Sequence, residues 1–97
     1  MKGQLSWEHQ PPRLILLGEL DRETLLPLWN QRRTLMTGVN TVDVAGLERV
    51  DSAGLAMLVH LRELAEQGGG SLSVTGMTDR LSTLIALYNL QDIIPVN

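Results

Sequence analysis

The hydrophobic pattern switches between short apolar runs and longer stretches in which apolar residues recur every three or four positions. Leu5 to His9 reads as a short edge strand, ended by a turn at Gln10-Pro11-Pro12. Arg13 to Leu17 reads as a second strand stopped by Gly18, and the two make a hairpin. Glu19-Leu20-Asp21 then leads into a helix running to about Met36. Pro27 would cost about 3 kcal/mol deep inside a helix but removes no bond in its first turn. The regular helix is therefore expected from near Thr24, with Thr24 or Asp21 as cap. Leu25, Leu28, Trp29, Arg32 and Met36 form one stripe on it, with Leu35 beside them, and Trp29 is expected to anchor the helix on the sheet.

After Thr37-Gly38, the β-branched run Thr41 to Val44 predicts a buried strand, bounded by Asn40 and by a turn through Gly46. Asp51-Ser52-Ala53-Gly54-Leu55 places short polar residues just before a helical pattern. Such residues cap a helix by accepting hydrogen bonds from its unpaired first-turn N–H groups. On this helix Met57, Leu58, Leu61, Leu64 and Ala65 share one arc, assigned to the core. Ser52, Ala56, Val59, His60 and Glu63 share another, with Leu55 at its edge. That second arc lacks the Lys and Glu of a purely solvated face, which makes it a candidate docking surface.

Gly68-Gly69-Gly70 ends the helix; with no strand before it and no Lys-Ser/Thr after it, this is a connector rather than a phosphate loop. Leu72 to Thr75 is a further strand ending at Gly76. Thr78-Asp79 caps a last helix in which Leu81, Leu84, Ile85 and Tyr88 recur at i, i+3, i+4 and i+7, leaving Leu87 outside the stripe. Asn89 ends it, and Asp92 to Pro95 is a short extended piece or turn. The order strand, strand, helix, strand, helix, strand, helix implies an α/β fold with a mixed, mostly parallel sheet of about four strands. The helices are expected mainly on one face, within one domain spanning residues 1–97.

Length and composition narrow the function. The 97 residues can bury one core, and 43% hydrophobic with 20% charged content is ordinary for a globular protein. With only Trp7, Trp29 and Tyr88 as aromatics, that core must be built from Leu, Val, Ile and Met. A net charge of −3 argues against a nucleic-acid partner, which wants clustered Lys and Arg. The absence of cysteine excludes disulfides, zinc–thiolate sites and thiol catalysis. The N-terminus turns polar too soon for a signal peptide, and no apolar run reaches the roughly 18 residues of a membrane span. No membrane insertion is expected, and a membrane link, if any, comes through a partner.

A catalytic constellation does not emerge. His9 and His60 have no metal-ligand spacing, and no metal or cofactor is expected. His9 reads as an exposed strand residue and His60 as a surface or interface imidazole. Asp43 is a strand carboxylate that bonds a neighbouring loop, and Asp51 is a helix cap worth about 1 kcal/mol. Ser52 reads as a cap hydroxyl, as a partner contact, or as both. A phosphate there would be favoured by the positive helix end and opposed by Asp51.

The run Thr-Val-Asp-Val-Ala-Gly-Leu-Glu-Arg-Val-Asp-Ser-Ala-Gly-Leu resembles the signature of STAS domains, the fold of sulfate-transporter tails and anti-sigma-factor antagonists. Leu5-Ser6-Trp7, Gly18 to Asp21, Leu25 to Trp29, Gly54-Leu55-Ala56 and Leu87 to Leu90 look like the small STAS subunit of the Mla system. That complex is an ABC transporter moving phospholipids between the two membranes of Gram-negative bacteria and maintaining outer-membrane lipid asymmetry. The resemblance implies a non-catalytic, cytoplasmic subunit, peripheral to the inner membrane and without direct lipid contact, that binds and supports the ATPase of a complex with permease and lipid-binding subunits. It implies that Ser52, where that family often carries Thr, is the hydroxyl at the contact, and that part of the last helix also faces the ATPase. The other branch implies an anti-sigma-factor antagonist switched by phosphorylation of Ser52.

Overall fold

The computed structural model describes residues 4–94. Its elements are β1 (Leu5–Gln10), β2 (Arg13–Leu20), α1 (Leu26–Met36), β3 (Thr41–Val50), α2 (Ser52–Gln67), β4 (Ser73–Thr75) and α3 (Asp79–Leu87). The four strands form one sheet in the order β1-β2-β3-β4. The β1–β2 hairpin is antiparallel, while β2–β3 and β3–β4 are parallel. Parallel neighbours need crossover connections, which α1 and α2 supply. The expected α/β sandwich on a mixed sheet is therefore the architecture observed.

Alternation along the strands decides which face carries the helices. Leu14, Leu16 and Leu20 on β2, Val42, Val44 and Leu47 on β3, and Val74 on β4 are all buried. The intervening Ile15, Leu17, Thr41, Asp43 and Thr75 are only half-buried. Period-two side chains thus send one apolar set under the helices and leave the other face open. Leu28, Leu35 and Met36 of α1, Met57, Leu58 and Leu61 of α2, and Leu81 and Ile85 of α3 close the core from above. Ile94, beyond α3, joins them. The predicted core arc of α2 holds, with Leu64 and Ala65 half-buried at its far end.

Two strands run past the glycines expected to stop them. β2 continues beyond Gly18 to Leu20, and β3 continues beyond Gly46 to Val50, so no turn occurs at Gly46. The β2–β3 ladder instead shifts register between Ile15 and Leu17 and again between Gly18 and Glu19. A glycine inside a strand commonly marks such a bulge rather than an end. Asp43 stabilises the first irregularity: its Oδ1 accepts from the Ala45 N–H at 2.9 Å and its Oδ2 pairs with Arg13 on β2 at 2.9 Å. Asp43 therefore bonds its own strand and its neighbour, not a loop. At the other end of the sheet, β4 is shorter than expected, starting at Ser73 rather than Leu72.

The helices also differ from expectation at their ends. Regular α1 begins at Leu26, with Leu25 as a cap position that carries no side-chain bond. Asp21 and Thr24 instead cap a separate turn ahead of it. The Asp21 N–H donates to Thr24 Oγ1 at 3.0 Å, and Asp21 Oδ1 accepts from the Glu23 and Thr24 N–H groups at 2.9 and 3.1 Å. Trp29 does not anchor α1 on the sheet; it is 37% exposed, and Leu28 beside it is the fully buried residue.

Tyr88 leaves the predicted stripe of α3 and is 50% exposed. The helix ends at Leu87, and Asn89 takes a left-handed φ of 57°. The Asn89 and Leu90 N–H groups then donate to the Ala86 and Ile85 carbonyls at 3.1 and 2.9 Å, the pattern of a Schellman cap. The i+7 position thus falls one residue beyond the regular helix. Of the expected terminal piece, residues 91–93 form a turn, and Pro95 lies outside the described residues.

The assignment of α1 has a direct test. Leu28→Ala should lower unfolding stability by about 2–5 kcal/mol, because it leaves a cavity in a closed core. Trp29→Ala should cost clearly less in the same denaturant titration, since much of its ring already meets solvent.

Candidate functional site

The start of α2 is built by two backbone-level constraints. Asp51 is the N-cap: its Oδ1 accepts from the Gly54 N–H at 2.9 Å. Its Oδ2 accepts from the Arg22 N–H at 3.2 Å, so the same carboxylate ties the turn after β2 to the helix. The second constraint is Gly54, which is buried. A Cβ at that position would collide with the Leu20 carbonyl oxygen and would meet Val50 Cγ1 at 2.8 Å. The first turn of α2 therefore lies directly on the backbone leaving β2, a close approach open only to glycine.

With Asp51 as cap, Ser52 is the first helical residue and not the capping hydroxyl. It is exposed, and its hydroxyl has no hydrogen-bond partner among the described residues. The remaining residues of the outer stripe follow at helical spacing. Ala56 and Glu63 are exposed, and Val59 and His60 are half-buried. Leu55 differs: at 1% exposure it is a core side chain and has almost no surface to offer a partner. Its position at the edge of the stripe corresponds to the floor of the site.

Two open apolar depressions flank this stripe and share Ala56. On the α3 side, Ser52, Leu55, Ala56, Val59 and Glu63 meet Tyr88 and Leu90 around a cavity of about 400 Å³. On the α1 side, Leu25, Trp29, Ala53, Ala56 and Met57 line one of about 250 Å³. Sequence periodicity missed the contributions of Trp29 and Tyr88. The visible signal was that both are large amphipathic aromatics in helices whose cores were already supplied by leucine and isoleucine.

His60 is held between helices. The Arg32 Nε–H donates to His60 Nε2 at 3.0 Å, so that ring nitrogen serves as the acceptor. Nδ1 in turn lies 3.8 Å from Glu63 Oε1. The Trp29 and His60 ring centroids are 4.7 Å apart, and the Arg32 guanidinium carbon sits 3.8 Å from the Trp29 centroid. The imidazole is thus a positioned interhelical acceptor. His9, as expected, is exposed on β1. Among the described residues no three His, Asp or Glu side chains are grouped to hold a metal ion. No helix among them is long and apolar enough to cross a membrane.

The constraint at Gly54 and the cap at Asp51 predict different losses. Gly54→Ala should destabilise the fold by about 1–3 kcal/mol, because the obstructing group is backbone and cannot rotate away. Asp51→Ala should cost about 1–2 kcal/mol through the lost cap. Chemical denaturation of the two variants beside Ser52→Ala, expected within about 0.5 kcal/mol of wild type, separates scaffold from surface.

Comparison with known proteins agrees with this architecture. The family Mlab, STAS domain matches residues 4–95. The intermembrane phospholipid transport system binding protein MlaB of Escherichia coli is 42% identical over 96 residues, covering 98% of this chain and 99% of that protein. The MlaB of Haemophilus influenzae is 32% identical, covering 91% of this chain and 93% of that protein. The anti-sigma-B factor antagonist of Bacillus subtilis is 30% identical over 84% of this chain and 77% of its own length. Among solved structures, a proposed anti-sigma factor antagonist from Thermotoga maritima superposes with a TM-score of 0.72 at 16% identity, covering 95% of this chain and 84% of that one. The anti-sigma factor antagonist SpoIIAA in its unphosphorylated form gives 0.62 at 16% identity, over 89% and 83% of the two chains. At that identity the likeness is one of fold, whereas the near full-length match at 42% decides the branch: the chain belongs to the MlaB family of STAS domains.

Proposed function

We propose that the chain is a non-catalytic subunit of a phospholipid-transporting ABC complex and that it docks on the ATPase through the outer face of α2. The observation that carries this reading is the exposed Ser52, without a hydroxyl partner among the described residues, at the head of an apolar depression in a chain 42% identical to a phospholipid transport system binding protein. Ser52, Ala56, Val59, His60 and Glu63 supply the contact, and Leu55 supports it from below. Tyr88 and Leu90 widen the contact across α3, in keeping with a surface that spans two helices. Such a patch suits protein recognition: an apolar centre, a hydroxyl and a carboxylate at the rim, and an aromatic at the edge.

The polar groups nearest the site support a binding role over a chemical one. Asp51 is occupied in capping, Asp43 in its pairing with Arg13, and His60 accepts from Arg32. The chain would then reach the inner membrane only through its ATPase partner, from the cytoplasmic side. It would act by holding the ATPase in a competent arrangement, shifting that equilibrium by its differential affinity for the two states.

A pull-down from cells with tagged chain, the bound proteins identified by mass, tests the reading. Recovery of an ABC ATPase is expected. Val59→Glu places a carboxylate in the apolar centre and should weaken that binding at least tenfold, about 1.4 kcal/mol, with circular dichroism unchanged. Recovery of a kinase-like anti-sigma factor in place of the ATPase would overturn the proposal, as would normal ATPase capture by a folded Val59→Glu variant.

A further inference from the structure

Among the described residues, Arg13, Arg32, Arg62 and Arg80 bond or pair through their side chains, and their partners differ. Arg13 has Asp43 at 2.9 Å across the β2–β3 pair, Arg62 has Glu66 at 2.9 Å within α2, and Arg80 reaches the Glu48 carbonyl at 3.4 Å. Arg32 has no carboxylate partner among the described residues, yet its guanidinium meets three groups of its surroundings. Its Nε–H donates to His60 Nε2 at 3.0 Å, a terminal nitrogen donates to the Trp29 carbonyl at 2.7 Å, and its Cζ lies 3.8 Å from the Trp29 centroid. A guanidinium has five N–H donors in a rigid fork. Two are used here, which leaves three on a side chain that has already lost much of its rotamer freedom. Preorganised donors of that kind match a carboxylate in bidentate geometry, and binding then costs little further ordering.

Trp29, on whose ring the guanidinium rests, is also a wall of the notch of about 250 Å³ that it forms with Leu25, Ala53, Ala56 and Met57. Ala56 belongs to both the notch and the depression at Ser52, so the two are one continuous surface. The geometry points to a second, α1-side half of the docking surface, whose occupant is an Asp or Glu of the ATPase on Arg32 with an adjacent apolar side chain in the notch. This inference rests on the ATPase-docking reading. It adds to it a charged contact on a different helix, with Trp29 as the apolar wall and His60 as the positioning residue for Arg32.

The test is the affinity of the purified full chain for the purified ABC ATPase that the pull-down recovers, measured by titration calorimetry at low and high salt. Arg32→Gln should weaken binding about tenfold at low salt and flatten its salt dependence, the signature of a lost charge-assisted pair. Arg32→Lys keeps the charge but not the fork, and should lose several-fold while retaining the salt dependence. Should Arg32→Gln fail to fold by thermal melt, the Lys variant carries the test. Reversing one ATPase carboxylate to Lys should restore binding to Arg32→Glu. Both Arg32 variants binding like wild type, while Val59→Glu still disrupts, would overturn this inference and leave the docking reading intact. A wild-type chain that does not bind the ATPase would overturn both.

Discussion

The contact between the first turn of α2 and the backbone leaving β2 sets the position of nearly everything else. Gly54 permits it by having no side chain, and Asp51 fixes it by accepting from Gly54 within the helix and from Arg22 outside it. An uncapped helix start buried against a carbonyl would carry unpaired N–H groups on one side and a steric conflict on the other. With both resolved, the helix leaves β3 immediately, with Ser52 facing solvent and Leu55 facing the core. The outer and inner faces of α2 are therefore assigned within its first four residues.

Much of this was legible in the sequence because local and global preferences agree. The β-branched run at Thr41 to Val44, the Asp51 cap and the apolar arc of α2 each predicted what is observed, since propensity, pattern and burial all favour one outcome there. The glycines were harder. Gly18 and Gly46 read as breakers because glycine's most common local meaning is a stop, yet both lie inside strands at register shifts of the β2–β3 ladder. Whether a glycine ends a strand or bends it depends on the neighbouring strand, which is information from elsewhere in the chain.

The outer stripe was legible as far as one helix can reveal it. Periodicity placed Ser52, Ala56, Val59, His60 and Glu63 on one side of α2, and their burial follows that order except at Leu55. Trp29 and Tyr88 lie shallower than the stripes they belong to imply, for a common reason. A stripe on a helical wheel shows which residues are neighbours, while depth is decided by how far the helix extends and what packs above it. Tyr88 falls beyond the last turn of α3, and Trp29 is drawn toward Arg32 and His60 at the seam between α1 and α2.

The separation of faces on α2 has an evolutionary consequence. Changes at Ser52, Ala56 or Glu63 touch neither the cap nor the close approach at Gly54, so the outer residues can drift while the inner ones stay pinned by packing. A scaffold of that kind can be handed from one partner to another by rewriting a few surface letters. Superposition at a TM-score of 0.72 despite 16% identity is the divergence such a scaffold tolerates.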